Sequence, residues 1–150
     1  MTEKTMTVGS AILCDDLRTE ITGKNIIIGV YDPIFSVESF PINHKFAIAF
    51  IVDVSAGGNH SFRFRVIDNS DGQVLNGRIQ LDTEEGGKNV SLPAVFFNLE
   101  MKKSSTLDIE VSYPNDEENW NNVGVWKIVE ELRQDPVSSS ENVRPVNSVD

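Results

Sequence analysis

The chain has 150 residues, which is enough for one domain with a hydrophobic core and too few for two. Its 23 acidic and 13 basic residues give a net charge of −10 at pH 7, and the acids are spread along the chain. A field of this sign repels nucleic-acid phosphates and anionic membranes, so we expect neither as a partner.

The beginning of the chain, residues 1–7, is polar, and we expect a flexible N-terminal arm without a signal peptide. The longest apolar run, Phe46 to Val52, is far shorter than the ~20 residues that span a bilayer. A single cysteine, Cys14, cannot form an internal disulfide. These features favour a reducing compartment, and we expect a cytoplasmic protein.

The first predicted element is a β-hairpin or pair of strands within residues 11–32, where two apolar runs flank a polar segment that ends in Thr22-Gly23-Lys24. Asp15 and Asp16 follow the first run directly. Adjacent strand residues point to opposite faces, so these two carboxylates do not converge as a catalytic pair would. We expect them to be turn or strand-end residues.

Three stretches in the middle of the chain carry the clearest strand patterns. Lys45 to Val54 is apolar on both faces, which is typical of a central strand. His60 to Asp68 and Thr106 to Tyr113 alternate apolar and polar residues, which indicates strands with one wet face.

Three further stretches are weaker strand candidates. Gln73 to Leu81 is interrupted by Asn76-Gly77, and Val90 to Leu99 by Pro93, which suits an edge or a bend. The segment 123–129 fits a strand better than the helical stripe that Trp126, Val129 and Leu132 would form.

Turn residues separate these runs at 56–59, 68–72 and 85–88. Together they predict an all-β domain at residues 8–132, an antiparallel β-sandwich of immunoglobulin-like or C2-like type with seven or eight strands. The end of the chain, residues 133–150, lacks aromatic residues and apolar periodicity, and we expect a disordered acidic tail there.

Two loops carry carboxylates at close spacing. Asp68 and Asp71 lie in the first loop, and Asp116 and Glu117 lie in the second, within Pro114 to Asn119. Oxygen ligands at such spacing are found in calcium loops, but an Asp-Gly turn is also an ordinary hairpin connection, and the later bidentate Glu of a helix-loop-helix site is missing. We keep these four residues as candidates for an interaction loop.

Two aromatic residues complete the candidate set, Phe97 and Trp120. Phe96 and Phe97 must face opposite ways in a strand, so one is expected in the core and the other under a partner or the second sheet. Trp120 stands in an Asn-rich stretch, where it would be either a recognition residue or a lid packed over the end of the sandwich.

No constellation of residues predicts catalysis or a cofactor. The sequence neighbours of Cys14 are acidic, which disfavours a thiolate nucleophile. His44 and His60 are the only histidines and lack the spacing of a zinc site. The sequence contains no nucleophile elbow, phosphate loop or dinucleotide motif, so we expect a protein that is not an enzyme and carries no cofactor or metal.

An ordered set of short motifs resembles a family of small, uncharacterised bacterial and phage proteins. The set comprises Cys14-Asp15-Asp16, Gly23-Lys24, Gly29-Val30-Tyr31, Ser39-Phe40-Pro41 and the V-I-D-x-x-D-G pattern within Phe64 to Leu75. The resemblance covers residues 8–129 and implies a β-sandwich without an assigned activity. It implies no catalytic or binding residues.

The leading functional hypothesis is a non-enzymatic cytosolic protein-interaction module with an unknown protein partner, and a phage or mobile-element origin is one option. A small-ligand module that holds calcium or a carbohydrate between the loops at 68–72 and 114–122 is the first alternative. A virion or assembly component that forms homo-oligomers through Phe96 or Phe97 is the second alternative. A hydrolase ranks last.

Overall fold

The computed structural model describes residues 5–83 and 89–131. Within these ranges the chain contains no helix, and none of the described residues belongs to a helical segment able to cross a membrane. The prediction of an all-β domain is confirmed. The strands of the described ranges are β1 Met6–Cys14, β2 Asp16–Thr19, β3 Asn25–Ile28, β4 Ile34–Val37, β5 Ile42–Val54, β6 Gly58–Asp68, β7 Gln73–Thr83, β8 Asn89–Ser91, β9 Ala94–Met101, β10 Ser105–Tyr113 and β11 Asp116–Glu130.

The first sheet is built around β5. β1 pairs with one edge of β5, and β8 and β9 pair with successive parts of the other edge, all antiparallel. Pro93 lies between β8 and β9, where its missing N–H interrupts the ladder. The prediction of a central strand at 45–54 is therefore confirmed, and the strand predicted at 90–99 is divided at Pro93, where an edge or a bend was expected.

The second sheet has the strand order β4-β11-β10-β6-β7. Its pairs are antiparallel except for β4 and β11, which run parallel with Ile34 opposite Lys127. The predicted antiparallel sandwich is confirmed for the other pairs, and this parallel pair is the exception. A parallel pair needs a long connection, and most of the domain separates β4 from β11 in the sequence, so local turn signals do not reveal the pairing.

The two sheets enclose one hydrophobic core. The Phe50 ring from the first sheet lies 5.3 Å from that of Phe62 and 5.7 Å from that of Phe64 in the second, measured between centroids. Leu107, Ile109 and other fully buried side chains continue this layer. Since burial of one such side chain contributes about 1.5–3 kcal/mol, packing between the sheets is the main stabilising contact of the sandwich.

The described ranges hold eleven strands rather than the expected seven or eight. The difference comes from three strands of three or four residues, β2, β4 and β8, which are too short for a period-two pattern to be recognised. In addition, the apolar run 11–14 pairs with β5, and it is the polar segment β2 that forms a hairpin with β3. A hairpin does lie within residues 11–32, but the prediction that the two apolar runs pair with each other is wrong.

Asn76-Gly77 does not interrupt β7, although the sequence suggested that it would. β7 pairs with β6 without a break, and Gly77 lies opposite Phe64. A Cβ at position 77 would come within 2.8 Å of Cε1 and Cζ of the Phe64 ring. Gly77 is therefore the residue that lets this ring lie flat across the strand.

The described residues test the predicted beginning of the domain but not its predicted end. β1 begins at Met6, inside the segment 1–7 that we expected to be a flexible arm, because Met6 packs into the core opposite Val54. The turn expected at 85–88 and the tail expected at 133–150 lie outside the described residues. The predicted strand at 123–129 is confirmed as part of β11.

Candidate functional site

A cluster of three polar side chains forms where the β2–β3 hairpin returns to the sandwich. The chain bends at Asp15, whose backbone N–H donates to the carbonyls of Ile28 (3.0 Å) and Gly29 (3.1 Å). Two residues after Gly29, the N–H of Tyr31 donates to the carbonyl of Leu13 at 2.9 Å. These bonds place Tyr31 beside Asp15, although the two are far apart in sequence.

Gly29 is required for this arrangement. Its φ of +69° lies in the left-handed region, which favours glycine. A Cβ at position 29 would also overlap the carboxylate of Asp15. In the motif Gly29-Val30-Tyr31, the glycine is therefore needed because it lets the Tyr31 phenol lie next to the Asp15 carboxylate.

The three side chains share hydrogen bonds. The Tyr31 hydroxyl donates to Oδ1 of Asp15 and lies 3.1 Å from Nε2 of His44, and this nitrogen is 3.5 Å from the same Asp15 oxygen. Burial, the hydrogen bond to Asp15 and the negative charge of Asp15 all raise the pKa of Tyr31 above its usual value. The phenol therefore stays protonated and acts as a hydrogen-bond donor.

An aromatic cavity of about 460 Å³ lies beside this cluster. The Tyr31 ring lies 4.4 Å from that of Phe35 and 5.4 Å from that of Phe46, between centroids, and the His44 ring lies 4.6 Å from that of Phe46. The cavity also contains residues of β4 and of the loop that follows it, and its lining residues are Tyr31, Phe35–Ser39, Ile42–His44 and Phe46. A concave, largely aromatic site with a few polar groups at its rim is the usual form of a binding pocket.

Several large apolar side chains of the β2–β3 hairpin, of the segment after it and of β4 are exposed. Val30 and Ile34 are 60% and 64% exposed, and Ile26 and Ile28 of β3 are 40% exposed each. β4 is also the terminal strand of its sheet, and within the described ranges no strand pairs with its outer edge. This corner of the molecule therefore combines apolar side chains with unpaired backbone groups.

Two other titratable side chains lie near the cluster, Cys14 and Asp16. Cys14 is completely buried, and burial and the negative charge of Asp15 raise the pKa of its thiol. Asp16 accepts a hydrogen bond at 2.9 Å from Nε of Arg18, which lowers the pKa of its carboxyl, and it does not join Asp15. The described residues contain no group of three or more His, Cys, Asp or Glu side chains that could hold a metal ion.

The six candidate residues named from the sequence lie elsewhere. Asp68 is buried, and its Oδ1 accepts hydrogen bonds from the N–H (3.0 Å) and hydroxyl (2.8 Å) of Ser70. Asp71 accepts from the N–H of Gln73 at 2.9 Å. Both carboxylates thus stabilise the β6–β7 turn, which is the ordinary interpretation of this segment.

Asp116 lies at the far end of the sandwich from Asp68. Tyr113 of β10 lies opposite Asp116, and Leu107 of the same strand lies opposite Asp68, so about 20 Å separates the two carboxylates at ~3.3 Å per residue. The two loops approach each other at other residues, because the side-chain amides of Asn69 (2.7 Å) and Asn122 (3.4 Å) both donate to the Asp108 carboxylate. A calcium or carbohydrate site between the loops stays a prediction.

Trp120 is neither in a loop nor a lid over the end of the sandwich, because β11 already begins at Asp116. Its ring lies on the outer face of the second sheet, 4.2 Å from the guanidinium carbon of Arg65 and 5.3 Å from that of Arg63. Glu117 pairs with Arg78 at 3.0 Å and with Arg63 at 3.8 Å. We call this group, completed by Glu110 at 2.7 Å from Arg65, the arginine face.

Phe97 is a packing residue. Its ring stacks on Phe46 with 5.9 Å between centroids, against the core. Phe96 points the other way and is 48% exposed, with Nζ of Lys45 at 5.4 Å from its ring centroid. The expectation that the two rings face opposite ways is confirmed, but the accessible one is Phe96 and not Phe97.

Sequence reasoning missed the cluster of Asp15, Tyr31 and His44. Each residue was noted separately, the first as a turn residue and the third as an isolated histidine. Only the motif Gly29-Val30-Tyr31 carried a signal, and it did so as part of a family pattern. Contacts between residues so far apart in sequence follow from the path of the hairpin, which no local pattern specifies.

Comparisons with known proteins identify a family but no activity. A search of the curated proteins finds no match. The model of a family of unknown function, DUF6941, matches residues 9–122, which is 114 of the 150 residues, so the chain belongs to this family. The matched region includes Asp15, Tyr31 and His44.

Proposed function

We propose that this member of a family of unknown function is a non-enzymatic protein-interaction module. It binds an extended segment of a partner protein along the outer edge of β4, with one side chain of that segment in the aromatic cavity. The observation that carries the proposal is that β4 is both the terminal strand of its sheet and a wall of the cavity.

The hydrogen-bonding pattern of β4 defines which backbone groups would meet the partner. The carbonyls of Pro33 and Val37 accept bonds at 2.7 Å from the N–H groups of Lys127 and Glu131 in and after β11. Because alternate residues of a parallel strand face the same neighbour, Ile34 and Ser36 direct their N–H and C=O groups away from β11. These groups are available to an added strand, a common mode of peptide recognition.

The edge of β4 is only partly protected against pairing. The strand is short, with four residues, and Pro33 precedes it, and both features are common protections of edge strands. Within Ile34–Val37, however, there is no lysine or proline, and the apolar Ile34 is exposed. Ile34 points to the face opposite Phe35 and does not line the cavity, so its exposed apolar surface adjoins the strand edge on the other side of the sheet.

Charge selects the kind of segment that fits. Asp15 lies at the cluster, and Asp32 and Glu38 are exposed residues that precede and follow β4. The aromatic faces of Tyr31 and Phe35 add attraction for a cation. With a net charge of −10 behind them, these groups favour a segment that carries apolar residues and at least one Lys or Arg.

The assignment of the protein to the cytoplasm belongs to the same proposal. Its support is the single cysteine, which is buried and unpaired. A reducing compartment is where such a thiol is ordinarily found.

The test is a selection from a displayed library of random twelve-residue peptides. Wild-type protein and two variants, Ser36→Pro and Ser36→Ala, are used as bait. Proline removes the outward N–H of position 36 and leaves the bonds to β11 intact, whereas alanine keeps that N–H.

We expect wild type and Ser36→Ala to enrich peptides with apolar and basic residues. We expect Ser36→Pro to bind the enriched peptides about tenfold more weakly or worse, which corresponds to the loss of one or two hydrogen bonds. Equal binding by the proline and alanine variants, with both folded, would contradict binding at the edge. A selection without enrichment would contradict the module itself.

A further inference from the structure

A second cavity, of about 530 Å³, opens at the other end of β11. It lies among the beginnings of β1 and β6 and the β10–β11 turn. Asparagine is the commonest residue type in its wall, with Asn59, Asn115, Asn119 and Asn121. Thr5, Met6, His60, Ser61, Tyr113, Pro114 and Asp116 complete the lining. We call it the asparagine cavity.

The side-chain amides of this cavity keep free hydrogen-bonding capacity. Asn119 donates to Asp116 at 3.2 Å, and Asn121 donates two long bonds of 3.5 Å to backbone carbonyls, so the amide oxygens of both are left as acceptors. Within the described ranges, the side chains of Asn59 and Asn115 form no hydrogen bond. Each amide can both donate to and accept from a ligand.

Two ring side chains in the wall are held in place by the protein. The Tyr113 hydroxyl accepts a hydrogen bond from the N–H of Val8 at 2.9 Å. Nε2 of His60 lies 2.8 Å from the carbonyl of Ala56 and donates to it, which leaves Nδ1 as an acceptor. The Tyr113 ring thus supplies a fixed apolar surface among polar groups.

The chemistry of the wall excludes most ligand classes. An anion would meet Asp116 without any Lys or Arg among the lining residues. A divalent cation prefers six or more oxygen ligands with several carboxylates, and Asp116 is the one carboxylate of this lining. An apolar ligand would desolvate four amides without replacing their hydrogen bonds.

We propose that the asparagine cavity binds a neutral polyhydroxylated ligand, of which a sugar is the representative class. Hydroxyl groups donate and accept as amides do, so the two match in pairs. The C–H groups of a sugar suit the apolar part of the wall, to which Tyr113, partly buried against the core, contributes.

This site is independent of the proposed function. The asparagine cavity faces residues 116–121 of β11, and β4 pairs with residues 127–130. Along the strand the nearest residues of the two sites are about 20 Å apart at ~3.3 Å per residue. A change in one site is therefore not expected to alter binding at the other.

The experiment is a titration of ¹⁵N-labelled full-length protein with glucose, galactose, mannose, N-acetylglucosamine, cellobiose, maltose and diacetylchitobiose, followed by amide chemical shifts. Concentrations up to about 50 mM detect dissociation constants in the millimolar range. We expect at least one sugar to shift the amides of residues 59–61 and 113–121. A panel that shifts no amide, or shifts amides elsewhere, would overturn the proposal.

Variants with matched controls locate the site. Asn59→Ala and Asn115→Ala remove amides from the cavity, and Asn76→Ala removes one from exposed β7 on the outer face. We expect each cavity variant to weaken binding of the sugar by about fivefold to tenfold, as the loss of one hydrogen bond requires, and Asn76→Ala to change it less than about twofold. Unchanged binding in both cavity variants, with wild-type melting temperatures, would overturn the assignment.

Discussion

The aromatic cavity and the arginine face both collect aromatic and charged residues, but their groups are used differently. On the arginine face, Arg63, Arg65 and Arg78 are engaged by Glu117, Glu110 and the Trp120 ring. At the cavity, Asp15, Tyr31 and His44 bond to one another at the rim of an open space. The residue types in the sequence pointed to the arginine face as a binding site. The open cavity beside Asp15, Tyr31 and His44 points to the second region instead.

The largest difference between the regions should appear in stability. Phe46 is buried and contacts Tyr31, Phe35, His44 and Phe97, so Phe46→Ala removes the floor of the cavity. We expect it to lower the free energy of unfolding by about 3–5 kcal/mol. Trp120→Ala removes two cation–π contacts at a half-exposed surface and should cost only about 1–2 kcal/mol. Urea denaturation measures both, and a larger loss for Trp120→Ala would show that the arginine face stabilises the fold more than the cavity does.

A smaller loss of stability tests whether the Asp15 carboxylate is held in its position beside Gly29. Gly29 and Gly23 both have positive φ, +69° and +89°, but only Gly29 lies against the Asp15 carboxylate, whereas a Cβ at position 23 would have no atom within 4 Å. Gly23→Ala should therefore cost about 1 kcal/mol of backbone strain. Gly29→Ala should cost about 1–2 kcal/mol more, because the carboxylate must move. Equal losses in chemical denaturation would mean that the carboxylate moves aside freely.

The smallest effect concerns pH. Because the pKa of Tyr31 is raised in the folded protein, the unfolded chain loses this proton first as the pH rises above about 10, the ordinary pKa of tyrosine. The hydrogen-bonded phenol therefore contributes stability that is fully present below about pH 10 and is lost as the pH rises above it. The stability difference between wild type and Tyr31→Phe should be constant from about pH 7 to 9 and should then shift against wild type. A difference that stays constant up to about pH 11 would contradict the hydrogen bond to Asp15.

The parts of the fold that could be predicted from the sequence are those with local signals. Phe46 to Val52 is apolar on both faces, and only a central strand buries both. Asp71-Gly72 closes the β6–β7 hairpin as such dipeptides do, with Gly72 at a φ of +76°. Because these signals need only a few neighbouring residues, they locate most of the long strands.

The candidate site could not be predicted in the same way. Tyr31 meets Asp15 and His44 because the hairpin folds back, and β4 becomes an edge because β11 pairs with it from the far end of the domain. Trp120 misled because a polar sequence around it suggested a loop, whereas the alternation of a solvent-facing strand also allows polar residues. The cluster and the β4 edge both depend on contacts between residues that are distant in the sequence.

The most direct test is a chemical-shift map of ¹⁵N-labelled protein with the peptide most enriched in the selection. We expect the largest changes at residues 34–37 of the β4 edge, at the following residue 38, at Tyr31 and at His44. The arginine face, represented by Arg63, Arg78 and Trp120, should stay unchanged. Changes concentrated on the arginine face, with the amides of β4 unaffected, would contradict the account.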